Sequence, residues 1–224
     1  CSNKLHTETV SIFQNELITL EYNKDVLEKL NDYKVVIIGP GLSNDSWSES
    51  IFFNLVNLVS ENIISTKLVV DAGFLHFLSK HPFSYDNWVL TPHEGEASML
   101  LNTSSKWIKD NRTEAACLIQ EKYSGTVVLK GPNTIIFDGS EIFICSHGGH
   151  HMGVAGMGDA LSGAIASIVH LTGNDKSTDA VLFAVGLHSL AADIIKSKNG
   201  LIGVLPSDVI EKMSELVNTF YYDV

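Results

Sequence analysis

The chain has 224 residues, enough for one domain with a substantial core. Hydrophobic residues make up 45% and charged residues 18%, which excludes a disordered polar chain. Lys plus Arg is 15 against 26 Asp plus Glu, and the net charge of -11 argues against a general nucleic-acid binder, because phosphate contacts need clustered basic residues. A local basic spot can still hold a nucleotide.

Cys1, Cys117 and Cys145 are scattered and have no Cys-x-x-Cys spacing. A disulfide framework or zinc knuckle is not expected, and a reducing cytoplasm is the default. No apolar run approaches the ~18 residues of a membrane span. The opening CSNKLHTETV is no secretory signal, and the first Met is Met99, as in a processed product or a fragment.

Along the chain, short apolar runs alternate with helical patterns. Lys34 to Ile38 reads as a strand that stops at Gly39-Pro40-Gly41. A helix follows from Trp47 to Glu61, with Ile51, Leu55, Leu58 and Val59 on one face. Lys67 to Val70 is a second strand, ending at Asp71-Ala72-Gly73. Trp88 to Leu90 is a third, ending at Thr91-Pro92-His93. Thr113 to Lys122 reads as a helix, and Thr126 to Lys130 as a fourth strand, ending at Gly131-Pro132. Thr134 to Asp138 and Glu141 to Cys145 form a hairpin through Asp138-Gly139. A helix starts near Asp159 and runs toward His170, another spans Ala180 to Lys196, and a last one runs from Ser207-Asp208 to Phe220.

Continuous apolar strands separated by helices imply a mostly parallel sheet covered on both faces, in one α/β domain spanning 1–224. Ligands in such folds bind beyond the carboxyl ends of the strands. Gly-Pro-Gly, Asp-Ala-Gly, Thr-Pro-His and Lys-Gly-Pro all fall there.

The chemistry centres on Gly153-Val-Ala-Gly-Met-Gly-Asp-Ala-Leu-Ser-Gly163. Glycines before a helix let free N–H groups converge, and the helix dipole adds positive potential, which makes an anion site. Asp159 beside that site can accept or orient a hydroxyl proton while the anion hole holds a transferring phosphate. A plain glycine-rich helix entry has the same appearance, since Asp at a helix start is favourable for the dipole alone. Lys130 ends a strand within reach of a nucleotide phosphate, and Thr134 can bond the nucleotide. His93 can face the ligand crevice or cap the next helix. Glu94 and Glu96 sit in that helix's first turn, where carboxylates are favoured in any case. His147, His150 and His151 cluster without the spacing of a zinc site. His188 reads as a core histidine.

In chain order the pieces are GPGL at 39–42, DAG at 71–73, LTPHEGEASMLL at 90–101, KGPNT at 130–134, MGVAGMGDALSG at 152–163 and LHSLAAD at 187–193. This order resembles the ADP- or ATP-dependent NAD(P)H-hydrate dehydratase family of the ribokinase-like superfamily, from about Val35 to Ile210. The resemblance implies a ribokinase-like three-layer α/β/α fold, with the hairpin preceding the glycine-rich anion-hole helix. It implies repair of nicotinamide cofactors hydrated on the reduced ring: ADP or ATP, with Mg²⁺, phosphorylates the ring hydroxyl, and loss of phosphate restores NADH or NADPH. By the same resemblance Asp159 is catalytic and meets the hydrated ring. Lys130, Gly131, Pro132, Asn133, Thr134, Gly156, Met157 and Gly158 bind the nucleotide, and Gly39, Gly41 and His93 line the hydrated-cofactor pocket. A homo-oligomer, tetramer or larger, is implied too.

The match has departures. Glu94 stands where the family usually shows Pro, Val154 where it shows Thr, Gly149 where it shows Asn, and Gly73 where an Asp is common. The family's opening glycine-rich βα segment has no counterpart, which implies an exposed sheet edge. Two other readings stay open: a kinase of the same superfamily for a small hydroxylated substrate such as a sugar or vitamin precursor, and a degenerate nucleotide-binding homologue without catalysis.

Overall fold

A computed structural model describes Tyr22, Val26, Leu27, residues 29–173 and residues 177–222. The opening stretch CSNKLHTETV lies outside the described residues.

Six strands form one sheet in the order in which they occur: β1 (Val35–Ile38), β2 (Lys67–Val70), β3 (Trp88–Leu90), β4 (Thr126–Leu129), β5 (Thr134–Phe137) and β6 (Ile142–Cys145). The first four are mutually parallel, and β5 and β6 run antiparallel after them. The β5–β6 turn is built by Asp138, whose carboxylate Oδ1 accepts from the Ser140 N–H at 2.9 Å and the Glu141 N–H at 2.9 Å. Such local bonding to following amides is why Asp opens turns.

The helices are α1 (Ser46–Ser60), α2 (Gly73–Lys80), α3 (Glu94–Leu100), α4 (Ser105–Asp110), α5 (Arg112–Tyr123), α6 (Met157–Thr172), α7 (Ser177–Asn199) and α8 (Pro206–Tyr222). The short α2 and α4 were not apparent from periodicity, which a helix of eight or six residues barely samples. Both are paid for by burial instead: Phe74, Leu75, Phe77, Leu78 and Ile108 enter the core.

Strand residues alternate between two buried faces. Leu68, Val70, Leu90, Val127 and Leu129 pack against α1 to α5 through Phe52, Leu55, Phe74, Leu100 and Ile119. Val69, Val89 and Val128 point the other way, onto Leu161 and Ile165 of α6 and Val181 and Val185 of α7. Covering on both faces is why these strands read as unbroken apolar runs. A third cluster joins Met157 to Leu187, Ala191, Val209 and Met213, binding α6, α7 and α8 together. The three-layer α/β/α arrangement expected from the sequence is present.

Thr178–Asn199 of α7 has the length and mean hydropathy, 1.5, of a membrane span. Its Ala180, Val181, Ala184, Val185, Ala191 and Ala192 are all buried against α6, α8 and the sheet, so its apolar surface serves the core. At the other end of the sheet β1 is less covered: Ile37 is 39% exposed, and among the described residues β1 pairs only with β2.

Candidate active site

The carboxyl ends of the parallel strands meet along one line because the sheet's bonding continues past them. Asp71 N–H donates to Ile38 O at 3.1 Å, Thr91 N–H to Val70 O at 3.0 Å, and Lys130 N–H to Pro92 O at 2.8 Å. Asp71, Thr91 and Lys130 are thereby set side by side.

Three charged side chains converge there. Lys130 Nζ lies 2.6 Å from Asp71 Oδ1 and 3.8 Å from Glu96 Oε2. The Asp71 carboxylate also accepts the Ala72 N–H at Oδ1 (2.9 Å) and the Ser162 hydroxyl at Oδ2 (3.0 Å). Glu96 Oε2 accepts the His93 N–H at 2.7 Å, and His93 Nδ1 in return accepts the Gly95 and Glu96 N–H groups at 2.9 and 3.2 Å. This reciprocal capping box starts α3. The side chains of Asp71, Glu96 and Lys130 are 3%, 9% and 16% exposed, so the cluster is held by its own bonds rather than by water. Arg112, the first residue of α5, holds the Lys130 turn from behind: its Nη2 donates to Leu129 O at 3.0 Å.

Above this cluster begins α6. Gly156 caps it in the left-handed conformation (φ 85°), which glycine adopts without a Cβ clash. The Met157 and Ala160 N–H groups bond to Val154 O and Gly156 O. Among the described residues the Gly158 and Asp159 amides make no such bond, as expected of first-turn donors. A Cβ placed on Gly158 would lie 3.3 Å from Lys130 Nζ and 3.6 Å from Asp71 Oδ2, so the first turn of α6 stands directly beside the Lys130–Asp71 pair, and Gly158 and Lys130 border one space.

That space is a cavity of about 500 Å³. Lys130, Gly131, Thr134, His93, Glu94 and Arg112 border it, as do Met152, Met157, Leu161, Val185, His188 and Ser189. The wall thus combines the basic Lys130 and Arg112 with apolar side chains, a mixture suited to a phosphate-bearing ligand with an apolar body.

The histidines divide by role. The loop before α6 is tied to α7 by Asp193, which accepts the Gly148 N–H at 3.0 Å and lies 3.2 Å from both His147 Nδ1 and His151 Nε2. Burial pushes the Asp193 carboxyl up, but the Gly148 amide and the two imidazoles outweigh it and hold the group below its usual range. Burial moves His188 down to about 4, with the Met157 backbone acting weakly in the opposite sense. His188 is therefore neutral in the fold at ordinary pH. Among the described residues, no group of three or more His, Cys, Asp or Glu side chains is placed to hold a metal ion.

Of the residues singled out in the sequence, His93, Lys130, Gly131, Pro132, Thr134, Met157 and Gly158 line the cavity. Thr134 directs its hydroxyl to Gly131 O at 3.0 Å and so closes the KGPNT turn. Asn133, at φ 54°, forms the bend of that turn and does not line the cavity. Gly156 packs toward Pro206 instead. Gly39 is pressed on the Asp71 carbonyl, and Gly41 has open space beside it. Asp159 is exposed and lies off the cavity wall. Helix geometry accounts for that: at about 100° per residue, Met157 and Leu161 share a side, and Asp159 falls nearly opposite. Asp71, Ser162 and Arg112 received no site role from the sequence, although Asp71 opens the Asp-Ala-Gly strand end that the sequence already put on the ligand side.

A family model described as NAD(P)H-hydrate dehydratase matches residues 2–215. The bifunctional NAD(P)H-hydrate repair enzyme Nnr of Coxiella burnetii is 38% identical over 195 residues, covering 87% of this chain and 38% of that protein. The ADP-dependent (S)-NAD(P)H-hydrate dehydratase of Listeria monocytogenes is 28% identical, covering 86% of this chain and 66% of that protein. The chain thus spans well under half the length of the bifunctional relatives, 38% to 40% for those of Coxiella burnetii and Vibrio cholerae. Among solved structures, hypothetical protein SMU.573 of Streptococcus mutans superposes with a TM-score of 0.83 at 24% identity, over 97% of this chain and 78% of that one. The ADP/ATP-dependent NAD(P)H-hydrate dehydratase of Bacillus subtilis, co-crystallized with ATP/Mg²⁺, gives 0.77 at 22%, over 96% and 76%. At these identities the superpositions establish the shared ribokinase-like fold. With the family model spanning nearly the whole chain, the sequence order of its motifs and the fold agree: this chain belongs to the NAD(P)H-hydrate dehydratase family.

Proposed function

We propose that this chain dehydrates hydrated NADH or NADPH, driven by ADP or ATP. The observation that carries the reading is the meeting of Lys130 Nζ with the first turn of α6, where the Gly158 and Asp159 amides are unbonded among the described residues. Free amides, a helix N-terminus and an ammonium make an electrostatic cradle for a transferring phosphoryl group.

In this reading the nucleotide fills the cavity, its phosphates toward Lys130, Gly131 and Gly158. The hydrated nicotinamide ring approaches from the exposed side of the α6 terminus, where Asp159 stands. The terminal phosphate at Gly158 and the ring hydroxyl at Asp159 then meet at the open end of α6, about 100° apart round its first turn, as an in-line transfer requires. Asp159 orients the ring hydroxyl and takes its proton as the oxygen bonds to the terminal phosphorus and the nucleotide leaves one phosphate shorter. The ring nitrogen's electron pair then expels phosphate, and loss of the adjacent ring proton restores the reduced nicotinamide.

Mg²⁺ fits as a companion of the nucleotide rather than as a resident ion, since Asp71 and Glu96 are engaged with Lys130, Ser162 and His93. It would neutralise phosphate charge; the protein's part is to place donors and the hydroxyl.

The test is to incubate the protein with ADP or ATP, Mg²⁺ and hydrated NADH, and to follow the absorbance of the reduced ring. Recovery of that absorbance, dependent on nucleotide, is expected. No recovery, together with a stable phosphate ester formed from another alcohol, would overturn the reading in favour of a kinase.

A further inference from the structure

We propose that Asp71 is a positioning residue for phosphoryl transfer, holding Lys130 Nζ over the first turn of α6 before the nucleotide arrives. The proposal rests on the phosphoryl-transfer reading above and assigns a role to a residue that never meets the substrate.

A lysine ammonium sits on a flexible four-carbon stem, and ordering it has an entropic cost. Here that ordering is already present. Asp71 Oδ1 takes one of the three ammonium protons at 2.6 Å. Glu96, at 3.8 Å, is too far for a hydrogen bond and acts as a second counter-charge. The remaining donors are left for a ligand on the side of Gly158, whose added Cβ would lie 3.3 Å from Nζ.

Asp71 is itself immobilised. Its backbone N–H is bonded to Ile38 O at 3.1 Å, its Oδ1 receives the Ala72 N–H, and its Oδ2 receives the Ser162 hydroxyl from α6. The same helix that offers the anion cradle therefore fixes the carboxylate that aims the lysine. Lys130 and α6 are locked in register through Asp71, which is the preorganisation that charge stabilisation in a transition state requires.

A double-mutant cycle tests this on two readouts, turnover of hydrated NADH and nucleotide affinity by calorimetry. Asp71→Asn keeps the volume and one acceptor oxygen, with its NH2 able to donate to the Ser162 hydroxyl oxygen, but removes the charge that holds Lys130. It is expected to lower kcat about 10- to 100-fold and to weaken nucleotide binding about 3- to 10-fold. In a Lys130→Met background both losses should vanish, because there is no ammonium left to aim. Independent, multiplying losses in the double variant would overturn the proposal, as would an unchanged Asp71→Asn enzyme. Should Asp71→Asn fail to fold, Ser162→Ala replaces it in the same cycle, with smaller losses expected that again depend on Lys130. If the wild-type chain turns over no hydrated NADH, the functional reading fails. The coupling is then judged on nucleotide affinity alone, where dependence on Lys130 supports the positioning role and independence refutes it.

Discussion

Gly148 donates its backbone N–H to the Asp193 carboxylate at 3.0 Å, fastening the glycine-rich loop before α6 to a helix 45 residues further along. The loop borders the cavity through Gly148, Gly149 and Gly153, and glycines alone would leave it many conformations. Asp193→Ala should therefore weaken nucleotide binding more than it destabilises the fold. About tenfold in affinity is expected from losing a charge-assisted bond of ~1.5 kcal/mol. Calorimetric titration beside urea unfolding separates the two effects. Equal affinity in the variant would show that the loop is ordered by other means.

His188 predicts an acid sensitivity. Its pKa falls from 6.5 to about 4 on folding because burial disfavours the charged ring. The unfolded chain binds more protons between those values. The stability contributed by the neutral ring is whole above about pH 6.5 and is lost as pH falls toward 4. The linkage amounts to about 3 kcal/mol at the acid end. His188→Gln should flatten the dependence of unfolding free energy on pH between 6.5 and 4. A slope identical to wild type would sink the assignment. Asp193 acts lower: its depressed pKa contributes stability above about pH 4 that disappears as pH falls further.

Asp159→Ala is expected to reduce kcat on hydrated NADH by about 100-fold or more. Nucleotide affinity should change by less than about threefold, since Asp159 lies off the cavity wall. A parallel loss of affinity would place Asp159 on the nucleotide instead.

The two glycines of the first strand end should respond differently to alanine. A Cβ on Gly39 would fall 1.7 Å from the Asp71 carbonyl oxygen, at φ +120°. Backbone must move, and the move displaces Asp71, so a loss of about 3 kcal/mol or more and a fall in turnover are expected. Gly41, at φ +80°, meets nothing within 4 Å. Gly41→Ala should cost only about 1 to 2 kcal/mol of backbone strain. Denaturant midpoints of the two variants give the comparison directly.

Sequence by itself determined the elements whose signal is local. Three apolar runs in which every side chain is buried, Lys67–Val70, Trp88–Leu90 and Thr126–Leu129, had to be interior strands, and Asp138-Gly139 had to turn a hairpin. The order of GPGL, DAG, TPH, KGPNT and GMGD marked the family and put Lys130, His93 and Gly158 near one another. His93 remained ambiguous between cap and crevice, and the folded chain uses it for both, because its Nδ1 faces the helix while its ring borders the cavity. Only tertiary structure decided what Asp71 does. Its partners Lys130 and Ser162 lie 59 and 91 residues away, and they meet through the pairing of β2, β3 and β4 and the packing of α6 across the sheet. Nor could a motif tell which side of α6 faces the cavity. The helical turn sets Gly158 beside Lys130 and swings Asp159 about 100° further round, off the cavity wall, so adjacent residues of the Gly-Met-Gly-Asp run face different sides of one helix start.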